Sequence, residues 1–220
     1  MTKDNFLFTL LGLLLGAIIG FFVTNSINQN GTGPCSGPIT SQPAANSAAD
    51  SMAAVQNAIE KARQAPNDVK AQMAAADLFS RIQRFDQAID LLKKANEIEP
   101  DNVDVMVKLG NTSFDAGKYA DAERWYAAAL MKDPDELNVR TDKGLTYIFG
   151  DKPDVDRAIK EFKRVLDADP NHSQALQNLT VAYTRKSDAA GAEATLAKLE
   201  KADPNNSALA KLREEVGKLK

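Results

Sequence analysis

Apolar residues are distributed along this chain in two distinct ways. From Phe6 to Val23, 18 consecutive positions carry no charge, and Thr9 is the one weakly polar residue among them. A helix of that length reaches about 27 Å, close to the hydrocarbon thickness of a bilayer. Backbone groups in lipid must satisfy one another, so the run predicts a transmembrane helix over 6–24 behind a short tail, 1–5. From residue 50 onward the apolar residues are instead dispersed at spacings of three and four, as amphipathic helices require. Val55, Ala58, Ile59 and Ala62 share one face of a helix over 50–65. Paired helical patterns follow: 69–81 with 86–99, 103–115 with 120–133, 137–149 with 154–169, and 173–186 with 188–203. Leu209, Leu212, Val216 and Leu219 form the apolar stripe of a last helix within 205–220. Its other faces carry Lys211, Arg213, Glu214, Glu215 and Lys218, as suits a cap on a stack. Between the two regimes, 25–49 is rich in Asn, Gly, Ser, Thr, Gln and Pro. It lacks the apolar surface needed to offset ordering and is expected to be a flexible linker.

Prolines punctuate the helical part at 66, 100, 134, 170 and 204, with spacings of 34, 34, 36 and 34. Proline lacks a backbone donor and costs about 3 kcal/mol inside a helix, so each one marks a helix end or the turn after it. Asn or Asp follows each proline, as expected for a turn leading into the next helix. Four units result: 66–100, 101–134, 135–170 and 171–204. The third has a longer internal turn, Gly150-Asp151-Lys152-Pro153.

The period and its residues resemble the tetratricopeptide repeat (TPR). Unit two carries the pattern most fully, with Leu109-Gly110, Gly117, Tyr119, Ala122, Tyr126, Ala129-Leu130 and Pro134. Unit one offers Phe79, Phe85, Ala88, Leu92, Ala95 and Pro100. Unit three has Gly144, Tyr147, Ala158, Phe162, Leu166 and Pro170; unit four has Leu179, Tyr183, Ala192, Leu196 and Pro204. The resemblance implies an all-α fold over 66–204: a right-handed α-solenoid of about four helix–turn–helix units with flanking helices, the whole preceded by the transmembrane helix. Small residues where helices cross let backbones approach, and stacked neighbours bury what one unit cannot. Departures are Gln72 and Ala75 in unit one, and Arg140 and Lys143 in unit three, at positions the family usually fills with larger apolar residues. The charged stems of unit three either snorkel past apolar surface or leave that unit more loosely packed.

The resemblance also implies a function. First helices of such units line a concave groove that holds peptides of partner proteins. Carried over by position, the groove residues are Met73, Asp77 and Ser80; Val107, Asn111 and Phe114; Thr141, Leu145 and Ile148; and Gln177, Val181 and Thr184. Asn111 stands where the family often uses asparagine to bond a peptide backbone. Relatives that clamp a C-terminal carboxylate use lysines where this chain has Met73 and Val107, so that clamp is not expected. Trp125, beside Tyr126, is expected to serve helix packing. The chain is similar to membrane-anchored bacterial repeat proteins of cytochrome c maturation and envelope assembly. That likeness implies a tethered adaptor; the alternative is a structural subunit of a membrane complex that uses its convex face.

Composition narrows the classes. The net charge of −3 and the interspersed basic residues exclude a phosphate-tracking patch, so no nucleic-acid partner is expected. One cysteine and one histidine, Cys35 and His172, leave no thiolate zinc site or haem motif. No phosphate loop or nucleophile elbow occurs; neither enzyme chemistry nor a cofactor is expected.

The apolar run has a rival reading as a cleaved secretory signal. Such signals have an apolar core of about 7–15 residues before a small-x-small site. The run here is longer, and Thr24-Asn25-Ser26-Ile27-Asn28 is a poor site, so an uncleaved anchor is expected. Lys3 precedes the run and no Lys or Arg follows until Lys61, which by the positive-inside rule leaves the bulk of the chain outside the cytoplasm. In a bacterium that is an inner-membrane protein with a periplasmic C-terminal part. Gly12, Gly16 and Gly20 align on one helix face, where they either promote a homodimer or reflect ordinary membrane-helix composition. Cys35 follows no lipobox. It is either an unpaired thiol or, in an oxidising compartment, a disulfide between two chains.

Overall fold

The structure is a computed structural model that describes residues 47–219. The chain divides into two units at Ser47–Ala48, and the description concerns the second. The expected membrane helix, Gly12, Gly16, Gly20 and Cys35 lie outside the described residues. Among the described residues no helix is long and apolar enough to cross a membrane.

Ten helices are described: α1 (Ser47–Gln64), α2 (Val69–Arg81), α3 (Phe85–Ile98), α4 (Val103–Asp115), α5 (Tyr119–Lys132), α6 (Leu137–Phe149), α7 (Val155–Ala168), α8 (Ser173–Arg185), α9 (Ala189–Ala202) and α10 (Leu209–Gly217). Helix α1 begins at Ser47, inside the stretch expected to be linker up to residue 49. Each first helix packs on its own second helix, and each second helix packs on the next first helix, which makes an all-α solenoid.

Local chemistry sets the helix ends. Asp68 and Asn102 accept from the amides of Ala71 and Val105, and Asp154 and Asp188 accept from those of Arg157 and Gly191. These bonds satisfy amides that have no partner within the helix. His172 does the same for α8: its Nδ1 accepts from Ala175 N, and its Nε2 lies 3.1 Å from Asn138 Oδ1 of α6. Burial pushes its pKa down, which suits the neutral ring this bond needs. After α2, α4 and α8 the chain turns through a left-handed residue, at Gln83, Gly117 and Ser187. The next amides, of Arg84, Lys118 and Asp188, donate back to Phe79, Ser113 and Tyr183 and close a Schellman turn. The longer third turn closes differently, with Asp154 N donating to Tyr147 O.

The core follows a small-against-large rule. An added Cβ on Gly110 would lie 2.5 Å from Tyr126, and one on Gly144 would lie 2.4 Å from Phe162. The backbones of α4 and α6 therefore rest directly on aromatic rings of α5 and α7. The equivalent small positions elsewhere, Ala76 and Thr180, are fully buried. Trp125 packs partly buried against the core of units one and two. At one end Val55 and Ala62 of α1 are buried, with Val55 in the cluster of Val69 and Ala62 in that of Ala71. At the other, Leu209, Leu212 and Val216 of α10 cover Leu176, Leu196 and Leu199.

The polar departures in the sequence have specific partners. Gln72 is buried, and its Nε2 donates to Ala62 O at 2.8 Å, satisfying a carbonyl in the last turn of α1. Arg140 and Lys143 do not snorkel free. Both reach the Glu161 carboxylate of α7, at 3.3 and 3.2 Å, and Arg164 adds a third contact at 3.3 Å.

Candidate functional site

The face built by α2, α4, α6 and α8 carries most of the residues expected to meet a partner, but unequally. Met73, Asp77 and Ser80 on α2 are half-buried and keep some surface, as do Val107, Asn111 and Phe114 on α4. Gln177, Val181 and Thr184 on α8 are likewise half-buried. Unit three differs, and the expectation for it is corrected. Thr141, Leu145 and Ile148 are 0%, 5% and 2% exposed and offer almost no surface. Thr141 turns its hydroxyl back to Leu137 O, a helix-internal bond. Leu145 and Ile148 join Leu179 and Ala182 of α8 and Phe162 of α7 in one apolar cluster. Leu145 and Ile148 are covered because Leu179 and Ala182 of α8 pack with them.

In units one and two the same positions, apolar and polar alike, stay reachable. Lys108 of α4 donates to Asp77 of α2 at 2.6 Å, with both side chains partly solvated. Asn111 accepts the Tyr126 hydroxyl proton at 2.9 Å. That bond occupies the Asn111 carbonyl and leaves its amide group as a donor. Phe114 stands edge-on to Tyr119 and to Phe149, with centroids 5.2 and 5.9 Å away. Arg185 lies over Phe149 at 5.2 Å and donates to Ile148 O at 3.2 Å. Burial pulls the Arg185 pKa down, against the opposing charge of Glu215.

One carboxylate of this face, at the repeat position of Lys108, was not anticipated from the sequence. Asp142 of α6 is half-buried, and burial together with the charge of Asp115 raises its pKa to about 7. Desolvation also raises Asp115, at the end of α4. Burial pushes the Tyr126 hydroxyl well up, and the charges of Asp142 and Asp115 add to the effect. These groups therefore feel one another across α4, α5 and α6. The available signal was the recurrence of Lys108, Asp142 and Asn178 at one repeat position, polar where a purely structural helix would be apolar.

A stability prediction follows from the Asp142 carboxyl. It keeps its proton to about pH 7 in the fold, whereas the unfolded chain releases it near 4. Folding is favoured by this group below about pH 4, and the advantage is lost as pH rises toward 7 and above. Asp142→Asn is expected to raise stability by about 1–2 kcal/mol at pH 8, allowing for solvent screening, and to leave it nearly unchanged at pH 4. Urea denaturation at the two pH values measures the difference.

Among the described residues, no three His, Cys, Asp or Glu side chains gather as a metal site would need. The face presents hydrogen-bonding groups and aromatic edges, which suit recognition of a polypeptide.

The profile of the tetratricopeptide repeat matches residues 82–141 and 153–216. The TPR repeat-containing protein PA4667 of Pseudomonas aeruginosa is 32% identical over 74 residues, which are 34% of this chain and 12% of that protein. Three solved structures share the fold at low identity. YrrB, a TPR protein with an unusual peptide-binding site, superposes with a TM-score of 0.63 at 19% identity, over 77% of this chain and 86% of that one. MamA from Desulfovibrio magneticus gives 0.64 at 17%, over 73% and 90%. PilW, a type IV pilus biogenesis factor, gives 0.64 at 18%, over 78% and 80%.

Proposed function

Because this chain belongs to the tetratricopeptide repeat family, a family of protein-interaction scaffolds, we propose that it binds a peptide segment of a partner protein along the face of α2, α4 and α8. The reading adds a tether: residues 6–24 span a membrane, and the repeats work on its extracytoplasmic side. The observation that carries the groove is that Met73, Asp77, Ser80, Val107, Asn111 and Phe114 of units one and two all keep accessible surface. Asn111, held by Tyr126, offers donors to an extended backbone between half-buried Met73, Val107 and Phe114. The tether is supported by the uncharged run from Phe6 to Val23. YrrB, with the same fold, is described as peptide-binding, which is consistent with this use of the face.

Photo-crosslinking in intact cells tests the reading. A benzophenone side chain at Met73, Val107 or Gln177 is expected to capture one common partner. The same group at exposed Lys94 or Lys198, on second helices, is expected to capture none. Asn111→Ala should lower capture from Val107 by about tenfold, the loss of a backbone hydrogen bond in a desolvated site. Equal capture from both sets of positions would refute the groove. The glycine stripe Gly12, Gly16 and Gly20 favours a second role, assembly through the membrane helix. In the same cells Gly16→Ile separates the two: assembly is lost if the stripe packs helices, while capture at Val107 persists.

A further inference from the structure

Three cations converge on one carboxylate in unit three. Arg140 and Lys143 of α6 and Arg164 of α7 contact Glu161 at 3.3, 3.2 and 3.3 Å. Arg140 and Lys143 keep less than a fifth of their side-chain surface, while half-exposed Arg164 opens the cluster to solvent. The neighbouring carboxylate, Glu123 of α5, is already taken. It accepts from the Tyr147 hydroxyl and from Arg157, whose guanidinium lies 4.0 Å over the Tyr147 ring. Asp156 of α7 is held by Lys186. Three cations against one carboxylate therefore leave two positive charges without a counter-ion where α5, α6 and α7 meet. The chain as a whole carries −3, so this local excess runs against its overall charge. Packing does not require it. The same repeat positions hold Met106, Leu109 and Trp125 in unit two, and Leu176, Leu179 and Thr195 in unit four. Those residues fill the junction without burying a charge, whereas a buried ion cluster is weak evidence for stability.

We propose that this junction is a second docking site, for an acidic segment of a partner protein, with one carboxylate set against Arg140, Lys143 and Arg164. The next acidic residue would follow α7, where Arg157, Lys160 and Arg164 share a face at spacings of three and four and Lys160 is exposed. Arg164 contacts Glu161 through Nη1, which leaves further N–H donors in the fork that matches a carboxylate. Partly desolvated cations attract an anion more strongly than hydrated surface lysines do. The site is separate from the groove: Arg140, Lys143 and Tyr147 lie on a different side of α6 from Thr141, Leu145 and Ile148. A basic segment would meet repulsion there.

Two acetylated, amidated, rhodamine-labelled peptides, hexaglutamate and hexaglutamine, test this against the full chain in detergent. Anisotropy is read at neutral pH and about 0.15 M salt, which screens exposed charges beyond roughly 8 Å. Hexaglutamate is expected to bind about tenfold more tightly than hexaglutamine, or better. Arg164→Gln, a change at an open position, should remove most of that preference. Arg140→Leu, Lys143→Leu and Glu161→Leu together remove the buried charges and keep the junction filled. They should abolish the preference while circular dichroism shows the helices intact. Lys93→Gln with Lys94→Gln, exposed on α3, should leave it unchanged. Equal binding of the two peptides, or binding of neither, overturns the proposal. A glutamate preference that survives the triple change also overturns it, since scattered surface lysines would then suffice. If hexaglutamate fails to bind but inorganic phosphate raises the melting temperature of the wild type and not of the triple variant, the cluster takes a small oxyanion and the acidic segment is ruled out.

Discussion

Replacing Glu161 with alanine is expected to destabilise unit three by about 3 kcal/mol, the low end of what breaking a buried ion pair costs. The Glu161 side chain is 8% exposed and holds Arg140 and Lys143, themselves only 18% and 17% exposed, along with the more open Arg164. Burial alone would raise the Glu161 pKa; Lys143, Arg164 and Arg140 together outweigh it and hold the carboxyl below its usual value. Its stabilising effect is thus present above about pH 4.3 and is lost as pH falls through the lowered pKa. Alanine leaves two poorly hydrated cations facing each other across the vacated space. The contrast is a triple change, Arg140→Leu, Lys143→Leu and Glu161→Leu, which should be neutral or stabilising because no charge remains to be desolvated. Urea unfolding at pH 7 distinguishes the two. A loss for Glu161→Ala below 1 kcal/mol would mean that the cations reach water without it.

Gly144→Ala should cost at least as much, about 3 kcal/mol or a fall in melting temperature of roughly 6–12 °C. The new methyl would stand 2.4 Å from one ring carbon of Phe162 and 2.9 Å from another. Phe162 is 0% exposed, so the ring has nowhere to retreat, and α6 must lift from α7. Lifting α6 also disturbs Leu145 and Ile148 and through them α8. The damage should spread to unit four, because stability in stacked repeats lies in the interfaces between neighbours. Adding Phe162→Leu to Gly144→Ala should recover part of the loss, a coupling that a double-mutant cycle measures. Independent effects would show that the close approach is not the cause.

The legible features were those encoded within a few residues. Helix α2 could be placed because Pro66 precedes it and its apolar residues recur at helical spacing, both local signals. Gly110 and Gly144 stood out because the family pattern puts a small residue there, and each does lie under an aromatic ring. The groove was only partly legible. Asn111 and Phe114 stay reachable, while Leu145 and Ile148, at the same registers one unit later, are covered. A single helix pattern does not say which of its apolar faces the next unit will close over.

The sequence by itself determined the succession of paired helices and the small residues beneath aromatic rings, because prolines and the 34-residue period act over short distances. Tertiary structure alone decided the fate of the charged positions. Arg140 and Lys143 read as misfits until α7 brought Glu161 to them across 18 to 21 residues. Asp142 carries no signal of its own in the sequence, and feels the charge of Asp115 and acts on Tyr126 only once α4, α5 and α6 have stacked. A charge is stabilising or costly according to its neighbours and its hydration, and both are fixed only when separate helices stack.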